Sequence, residues 1–134
     1  MSESRLWQYI DNNIGHIGHF SRVESPNTSS GIPDVDYCIK GFTNHLELKY
    51  SGTSWAKLRP TQSAWFRRRV KNGGVPLLLH MNAKLGIPEY AVIKGLFVPN
   101  LVKFKTEDWY EFAHVVWQEK INWDELIQIL VNPD

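Results

Sequence analysis

The chain has 134 residues and a net charge of +1, and its six Trp, six Phe and five Tyr exclude a disordered polypeptide. Its length predicts one domain, and no apolar run approaches the roughly 18 residues that a membrane-spanning helix requires. The single cysteine, Cys38, excludes a disulfide framework and a cysteine-based zinc site. Since no signal peptide is visible, the expected compartment is the reducing cytoplasm, with no membrane partner.

Hydrophobic periodicity and turn residues predict an α/β fold in the order α-β-β-β-α-β-β-α-α, a mixed β-sheet flanked by helices. The elements are a helix over 2–13, strands over 19–25, 33–40 and 44–50, a helix over 60–71, strands over 75–81 and 89–93, and helices beginning at 106 and at 122 or 124. Ser2 or Ser4 can cap the first helix, and Pro60 suits the first turn of the second. The strand over 89–93 either ends before Gly95 or continues to residue 98.

Positive charge is concentrated in the middle of the chain. Residues 40–71 carry eight basic side chains and one acid, whereas residues 1–39 carry two basic and five acidic side chains, and residues 72–134 carry five and eight. A cluster of this kind suits a polyanion, because counterion release drives phosphate binding. It equally suits a solvated helix face with an arginine run, so its meaning depends on the residues around it.

Two neighbouring strands each have an apolar face and an ionisable face, because side chains alternate along a strand. The ionisable faces carry Asp34, Asp36, Cys38 and Lys40 on the first strand and His45, Glu47 and Lys49 on the second. A two-residue turn at Gly41 and Phe42, with glycine first as in a type II′ turn, pairs the strands with their apolar faces together. Asp34, Glu47 and Lys49 are then expected on one side of the sheet, whereas Asp36 is expected to meet solvent or Lys49.

Such a pair of carboxylates suggests a site for a hard divalent cation. Two carboxylates that lie close together repel each other, which raises a pKa unless a cation lies between them. Mg²⁺ usually takes one or two carboxylates, several waters and phosphate oxygens, and a neighbouring lysine can stabilise the charge that grows on a phosphate. The same residues also fit a salt-bridged, solvent-facing hairpin, in which exposed pairs contribute only about 0–1 kcal/mol.

Three short motifs and an apolar strand follow one another between residues 31 and 80. They are Ile32-Pro33-Asp34-Val35, Leu46-Glu47-Leu48-Lys49, Gln62 with Trp65 one helical turn later, and Gly73-Gly74-Val75-Pro76-Leu77-Leu78-Leu79. This order resembles the PD-(D/E)XK nuclease superfamily, and within it the VRR-NUC group and the related Holliday-junction resolvases. In those families Pro-Asp begins one strand, Glu-X-Lys lies on the next, and a glutamine opens the following helix. The resemblance implies a restriction-endonuclease-like core.

The resemblance also implies a role for each matching position. Asp34 and Glu47 would bind the metal, with the main-chain carbonyl of Leu48 as a further ligand. The ion would be Mg²⁺, with Mn²⁺ able to replace it. Lys49 would be the catalytic lysine, and Gln62 would point from its helix toward the water shell of the metal.

Further positions are expected to complete the site or to contact DNA. These families often add an acid from the first helix, for which Glu3 is the candidate, although a first-turn glutamate also simply favours the helix dipole. Related resolvases use a serine before the Pro-Asp strand, and Ser25, Ser29 and Ser30 are the candidates. The residues expected at the DNA backbone are Ser25, Lys57, Arg59, Arg67, Arg68 and Lys71. Trp65 belongs either to the core or to a base-stacking platform.

The expected activity is that of a Mg²⁺-dependent DNA endonuclease that hydrolyses phosphodiester bonds, selective for branched DNA such as a Holliday junction. The alternatives are a nicking, restriction-like or repair nuclease on linear or flapped duplex, and a DNA-binding module without catalysis. The small size favours a bacteriophage or prophage source.

A symmetric junction needs two cuts, so a homodimer is expected. A single nuclease domain over 1–134 would combine a catalytic core over about 1–98 with a helical part over about 104–134. Part of the dimer contact is expected from the apolar residues of that helical part, which are Trp109, Tyr110, Phe112, Trp117, Trp123, Leu126, Ile127 and Leu130.

Overall fold

A computed structural model describes residues 2–23, 31–52, 57–83, 86–103 and 105–134. Within them the helices are α1 (Glu3–Ile14), α2 (Pro60–Lys71) and α3 (Trp123–Val131), and the strands are β1 (His19–Arg22), β2 (Val35–Ile39), β3 (Phe42–Ser51), β4 (Leu77–Asn82), β5 (Glu89–Lys94) and β6 (Ala113–Gln118). Short 3₁₀ segments cover Gly15–Ile17, Gly95–Lys103 and Thr106–Phe112. None of the described helices has both the length and the apolar character that a bilayer crossing demands.

The strands form one six-stranded mixed sheet in the order β1-β2-β3-β4-β5-β6. All neighbours are antiparallel except β3 and β4, which run parallel and are connected through α2. A parallel pair requires such a crossover, because a tight hairpin can join only antiparallel strands. The chain is therefore a mixed α/β fold in which helices flank the sheet, as the sequence predicts.

The turn between β2 and β3 lies one residue earlier than predicted. Ile39 pairs with Phe42, so the turn residues are Lys40 and Gly41, with φ angles of 51° and 83°. Positive φ at both central residues defines a type I′ turn rather than the predicted type II′. Both turns bring the same faces together, so the predicted ionisable face is preserved although the pairing shifts, with Val35 opposite Leu46.

The C-terminal part differs most from the prediction. The predicted helix beginning at Thr106 is a 3₁₀ segment, and it leads into β6, which pairs with β5. The sheet therefore has six strands rather than five, and the predicted order and the purely helical C-terminal part are wrong. The strand over 89–93 does not continue to residue 98 either, because Gly95 begins a 3₁₀ segment and donates its N–H to the Pro76 carbonyl at 2.7 Å.

The two faces of the sheet pack against different layers. One face meets α1 and α3 in an apolar core that includes Leu6 and Ile10 of α1, Leu126 and Leu130 of α3, and Val35, Leu46, Leu48, Leu77 and Leu79 of the sheet. The opposite face has a smaller cluster of Leu58, Phe66, Leu78, Ile93, Val98, Leu101 and Trp109, beneath α2 and the 3₁₀ segments. Alternation along β3 and β4 places Glu47, Lys49, Ser51 and His80 on this second face.

Much of the apolar C-terminal surface is buried within the monomer. Trp109, Trp117, Leu126 and Leu130 are all 9% exposed or less. The surplus of apolar surface on which the expected dimer contact was based is therefore absent for these four residues. The homodimer itself stays a prediction.

Candidate active site

Two hydrogen bonds join Asp34 to Glu47 and to the next residue, Leu48. The Asp34 N–H donates to Glu47 Oε1 at 3.2 Å, and the Leu48 N–H donates to Asp34 Oδ2 at 3.1 Å. The ladder between β2 and β3 ends at Val35 and Leu46. Leu48 therefore lies past the end of that ladder, and the Asp34 carboxylate takes the place of a strand partner. A third bond, from the Val23 N–H to the Asp34 carbonyl at 2.6 Å, fixes the Asp34 backbone.

Glu47 is a buried carboxyl group, only 1% exposed. Burial and, next, the charge of Asp34 raise the pKa of Glu47 to about 8, while Lys49 acts in the opposite direction. The Lys49 ammonium lies 3.4 Å from Glu47 Oε2, and both side chains are almost fully enclosed. A solvent-facing hairpin of exposed ion pairs, the alternative interpretation of these residues, does not describe this arrangement.

Gln62 connects the helix to both charged groups. Its Nε2 donates to Glu47 Oε2 at 2.9 Å, and its Oε1 accepts from Lys49 Nζ at 3.1 Å and from the Arg59 N–H at 2.9 Å. The last bond caps the first turn of α2, where Pro60 occupies the first position. Gln62 thus points toward the site, as the sequence predicts, and its carboxamide fixes the separation of Glu47 and Lys49.

Glu3 begins α1 and lies within electrostatic range of the same groups. Burial raises the pKa of Glu3, and so does Asp34, whereas Lys49, Arg22 and Arg59 oppose the shift. Ser2 rather than Ser4 caps the helix, through a bond from the Arg5 N–H to its hydroxyl at 3.2 Å. Glu3 therefore lies close enough to Asp34 and Lys49 to interact with their charges, while its place in the site stays a prediction.

Arg22 is a neighbour of the site that the sequence interpretation missed. It lies on β1 opposite Val35, next to Asp34, and its Nη1 donates to the Ser4 hydroxyl at 3.3 Å. If the predicted strand over 19–25 is paired with the strand over 33–40, Arg22 is placed close to Asp34. Arg22 therefore adds a cation at the rim of the carboxylate pair.

The donor set fits a hard divalent cation. In an antiparallel ladder a residue exchanges both main-chain bonds with the residue opposite, so its N–H and C=O share one edge. Because the Leu48 N–H is directed at Asp34, the Leu48 carbonyl lies at that edge too. Two carboxylates and a carbonyl are the oxygen ligands that Mg²⁺ accepts, and a cation would offset the burial and the Asp34 charge that raise the pKa of Glu47. No cluster of three His, Cys, Asp or Glu side chains that could hold a metal occurs in the described part of the chain.

A neutral histidine lies behind Lys49. His80 on β4 is the register partner of Lys49 on β3, and its Nε2 is 2.7 Å from the Ser51 hydroxyl. The ring is fully buried, with its centroid 5.2 Å from that of Trp109, and burial lowers its pKa to about 4. At neutral pH the imidazole therefore adds no second positive charge beside Lys49. The sequence pattern of this strand is apolar and does not predict a role for His80.

The predicted DNA-contacting cations lie on the surface. Lys57, Arg59, Arg67, Arg68 and Lys71 are exposed. Across the described ranges, no carboxylate forms an ion pair with any of them. Ser25, Ser29 and Ser30 lie outside the described residues.

The structure also shows the environment of Asp36 and of Trp65, for which the sequence leaves alternatives open. Asp36 is exposed and lies 3.7 Å from His45 Nε2, away from Lys49. Trp65 is half-buried against the smaller apolar cluster and contacts the His45 ring at 5.2 Å between centroids.

Searches against protein-family models and against curated proteins find no match to this chain. The chemistry of the site follows from its own arrangement, in which Glu47, Lys49 and Gln62 are enclosed and Asp34 and Glu3 flank them. Such a set can bind a divalent cation through oxygen atoms and present an ammonium group to an anionic substrate.

Proposed function

We propose that the chain is a Mg²⁺-dependent DNA endonuclease with a restriction-endonuclease-like core of the PD-(D/E)XK type, acting in the cytoplasm of a bacterial cell or a phage-infected host. The observation that carries the proposal is the enclosed set of Glu47, Lys49 and Gln62 with half-buried Asp34 beside it, connected by hydrogen bonds of 2.9–3.2 Å. A buried carboxyl whose pKa is raised to about 8 is unfavourable for a purely structural role. A bound cation would stabilise the ionised form of Glu47, which would give the buried carboxyl group a functional role.

The residues of the chain divide the work of phosphodiester hydrolysis. Bound Mg²⁺ would supply Lewis-acid polarisation of the phosphate and lower the pKa of the nucleophilic water. Asp34, Glu47 and the Leu48 carbonyl would hold the ion. The Lys49 ammonium would donate to a non-bridging phosphate oxygen as charge develops there, and Gln62 keeps that ammonium in position.

Glu3 has a separate role at the rim. Its raised pKa brings the carboxyl closer to the range in which it can accept a proton from the attacking water. The cations of α2 would bind the DNA backbone beyond the reacting phosphate, since they have no carboxylate partners among the described residues. Branched DNA is the proposed substrate and a homodimer the proposed form, because a symmetric junction requires two cuts.

A cleavage assay on matched substrates tests the proposal. Purified protein is incubated with a labelled four-way junction and with a linear duplex of the same sequence, with Mg²⁺ and with a chelator. We expect Mg²⁺-dependent cleavage that favours the junction and is lost in Glu47→Gln. The matched control, Glu111→Gln, makes the same chemical change at an exposed position outside the site and should cleave like the wild type.

Each other result has a defined meaning. Equal cleavage of both substrates would replace the junction-selective assignment by a nuclease of linear or flapped duplex. DNA binding with no cleavage under any metal would leave a binding module and would reject the enzymatic proposal.

A further inference from the structure

Beyond Gln62, α2 carries an arginine that is ordered by its neighbours. The Arg69 guanidinium lies over the Trp65 ring, with its carbon 4.6 Å from the ring centroid. Its aliphatic stem packs on Gly74, where an added Cβ would come within 2.6 Å of the Arg69 Cγ and Cδ atoms. The side chain is therefore fixed at both ends although it is exposed. Arg67 and Arg68, its neighbours in the arginine run, have no such aromatic support among the described residues.

The charge of Arg69 is available to a ligand. No carboxylate in the described part of the chain forms an ion pair with it. Arg69 therefore presents a positive charge beside the Trp65 and His45 rings.

The position of Arg69 relates it to the candidate active site. Trp65 reaches His45 on β3, two residues before Glu47 on the same face of the sheet. Seven residues separate Gln62 from Arg69, which corresponds to about 10 Å along the helix axis at 1.5 Å per residue. One strand of B-DNA presents a phosphate every 3.4 Å of its axis, so a strand that follows α2 would pass about three phosphates over this distance.

We propose that Arg69 binds a backbone phosphate about three nucleotides from the reacting one, and that Trp65 is the positioning residue that holds its guanidinium. The inference rests on the proposed function, since it assumes that DNA enters the Asp34–Glu47 site. The guanidinium covers one face of the Trp65 ring, so the ring supports an arginine rather than a stacked base. A planar, preordered guanidinium is suited to bidentate phosphate contacts and loses little side-chain entropy on binding.

The salt dependence of DNA binding distinguishes the phosphate contact of Arg69 from the positioning role of Trp65. Affinity for duplex and junction DNA is measured in chelator over a range of salt concentrations, so that no cleavage occurs. We expect Arg69→Ala to weaken binding about tenfold and to reduce the slope of log affinity against log salt by about 0.9, the value for one lost phosphate contact. Trp65→Leu should weaken binding with the slope nearly unchanged, because the charge remains, and Trp65→Phe should restore part of the affinity.

The control for charge loss is Lys120→Ala, an exposed position between β6 and α3, which should change neither quantity. Thermal unfolding of each variant identifies any loss of the fold. If Arg69→Ala keeps the wild-type affinity and slope, or if Trp65→Leu lowers the slope as much as Arg69→Ala does, the inference is wrong.

Neutral phosphate substitution then locates the contact. Single methylphosphonates are placed along the cleaved strand, two to six positions from the cut. The wild type should lose affinity at one position about three nucleotides away, and Arg69→Ala should be insensitive at that same position. Sensitivity that is identical in both proteins would overturn the inference while leaving the nuclease proposal intact. A wild-type protein that binds no DNA would reject both.

Discussion

The two faces of the sheet achieve burial in different ways. The face against α1 and α3 is a mainly apolar layer, in which Leu46, Leu48 and Leu79 are no more than 1% exposed. The opposite face divides between an apolar cluster and a polar row of Glu47, Lys49, Ser51 and His80, each 7% exposed or less. Adjacent residues of one strand, such as Glu47 and Leu48, therefore belong to environments of opposite character.

This difference locates the buried groups that weigh against stability. Enclosing a carboxylate and an ammonium removes them from water, and their mutual attraction often fails to offset that loss. An apolar residue at Lys49 would pack without this penalty. Under the proposed function the polar row serves the reaction rather than folding, so substitutions on the two faces should have opposite consequences.

The largest expected effect is on catalysis. Lys49→Met should lower kcat/KM for DNA cleavage by about 10³-fold, because the donor to the developing phosphate charge is lost. Lys49 lowers the pKa of Glu47, so without it the Glu47 carboxyl is protonated at neutral pH and no unpaired charge stays buried. The free energy of unfolding should then stay within about 1 kcal/mol of the wild type or increase. Steady-state cleavage measures the expected loss of activity, and urea unfolding of the same preparations measures the expected stability. A variant that is strongly destabilised but active would contradict the proposed difference between the two faces of the sheet.

The opposite face should give the reverse result. Leu79→Ala is expected to lower the free energy of unfolding by about 3 kcal/mol, because it leaves a cavity in the apolar layer. Cleavage per folded molecule should remain close to that of the wild type at a temperature where the variant is folded. A selective loss of activity without loss of stability would mean that this face also shapes the site.

A smaller net effect is expected from acid, because His80 and Glu47 act in opposite directions. Burial lowers the pKa of His80 to about 4, so between pH 6.5 and 4 the unfolded chain binds a proton that the folded chain does not. Stability should therefore fall toward acid by up to about 1.4 kcal/mol per pH unit in this window, through His80 alone. Glu47 acts with the opposite sign, because its raised pKa favours the folded state as the pH falls from 8. Comparing the wild type with His80→Gln at each pH isolates the histidine, whose contribution is refuted if the two curves run parallel.

The smallest expected effect is stabilisation by the metal. Mg²⁺ in excess of its dissociation constant should raise the free energy of unfolding by about 1–3 kcal/mol, and chelator should reverse it. The effect should be larger at pH 8.5 than at pH 6.5, because Glu47 must lose its proton to bind the ion. Calorimetry of the wild type and Glu47→Gln measures it. An equal Mg²⁺ shift in both proteins would assign the ion to another site.

The alternating β2–β3 hairpin was the most predictable part of the molecule. Its faces follow from the period of two, and either turn position gives the same side for Asp34, Glu47 and Lys49. The choice of turn was not predictable, because it depends on Lys40 adopting a φ of 51°. The sequence does not predict β6, because Trp109, Phe112 and Val116 recur at a spacing that is typical of a helix. This segment is a strand because it pairs with β5.

Contacts between elements that are distant in the chain could not be predicted from the sequence. The pairing of Gln62 with Lys49 depends on how α2 crosses the sheet, and the burial of His80 beside Trp109 depends on the 3₁₀ segments that cover it. The support of Arg69 by Trp65 and Gly74 depends equally on the end of α2. Local periodicity contains no information about these crossings.

The central claim is that the carboxylate pair, rather than the acidic face as a whole, enables cleavage of DNA. Two acids on the same strand segment test it most directly: Asp34→Asn changes the residue bonded to Glu47 and Leu48, and Asp36→Asn changes the exposed residue two positions later. In a Mg²⁺-dependent cleavage assay on the four-way junction, we predict that Asp34→Asn loses activity by at least about 10²-fold while Asp36→Asn cleaves like the wild type. Equal activity of the two variants, or no Mg²⁺-dependent cleavage by the wild type, would contradict the account.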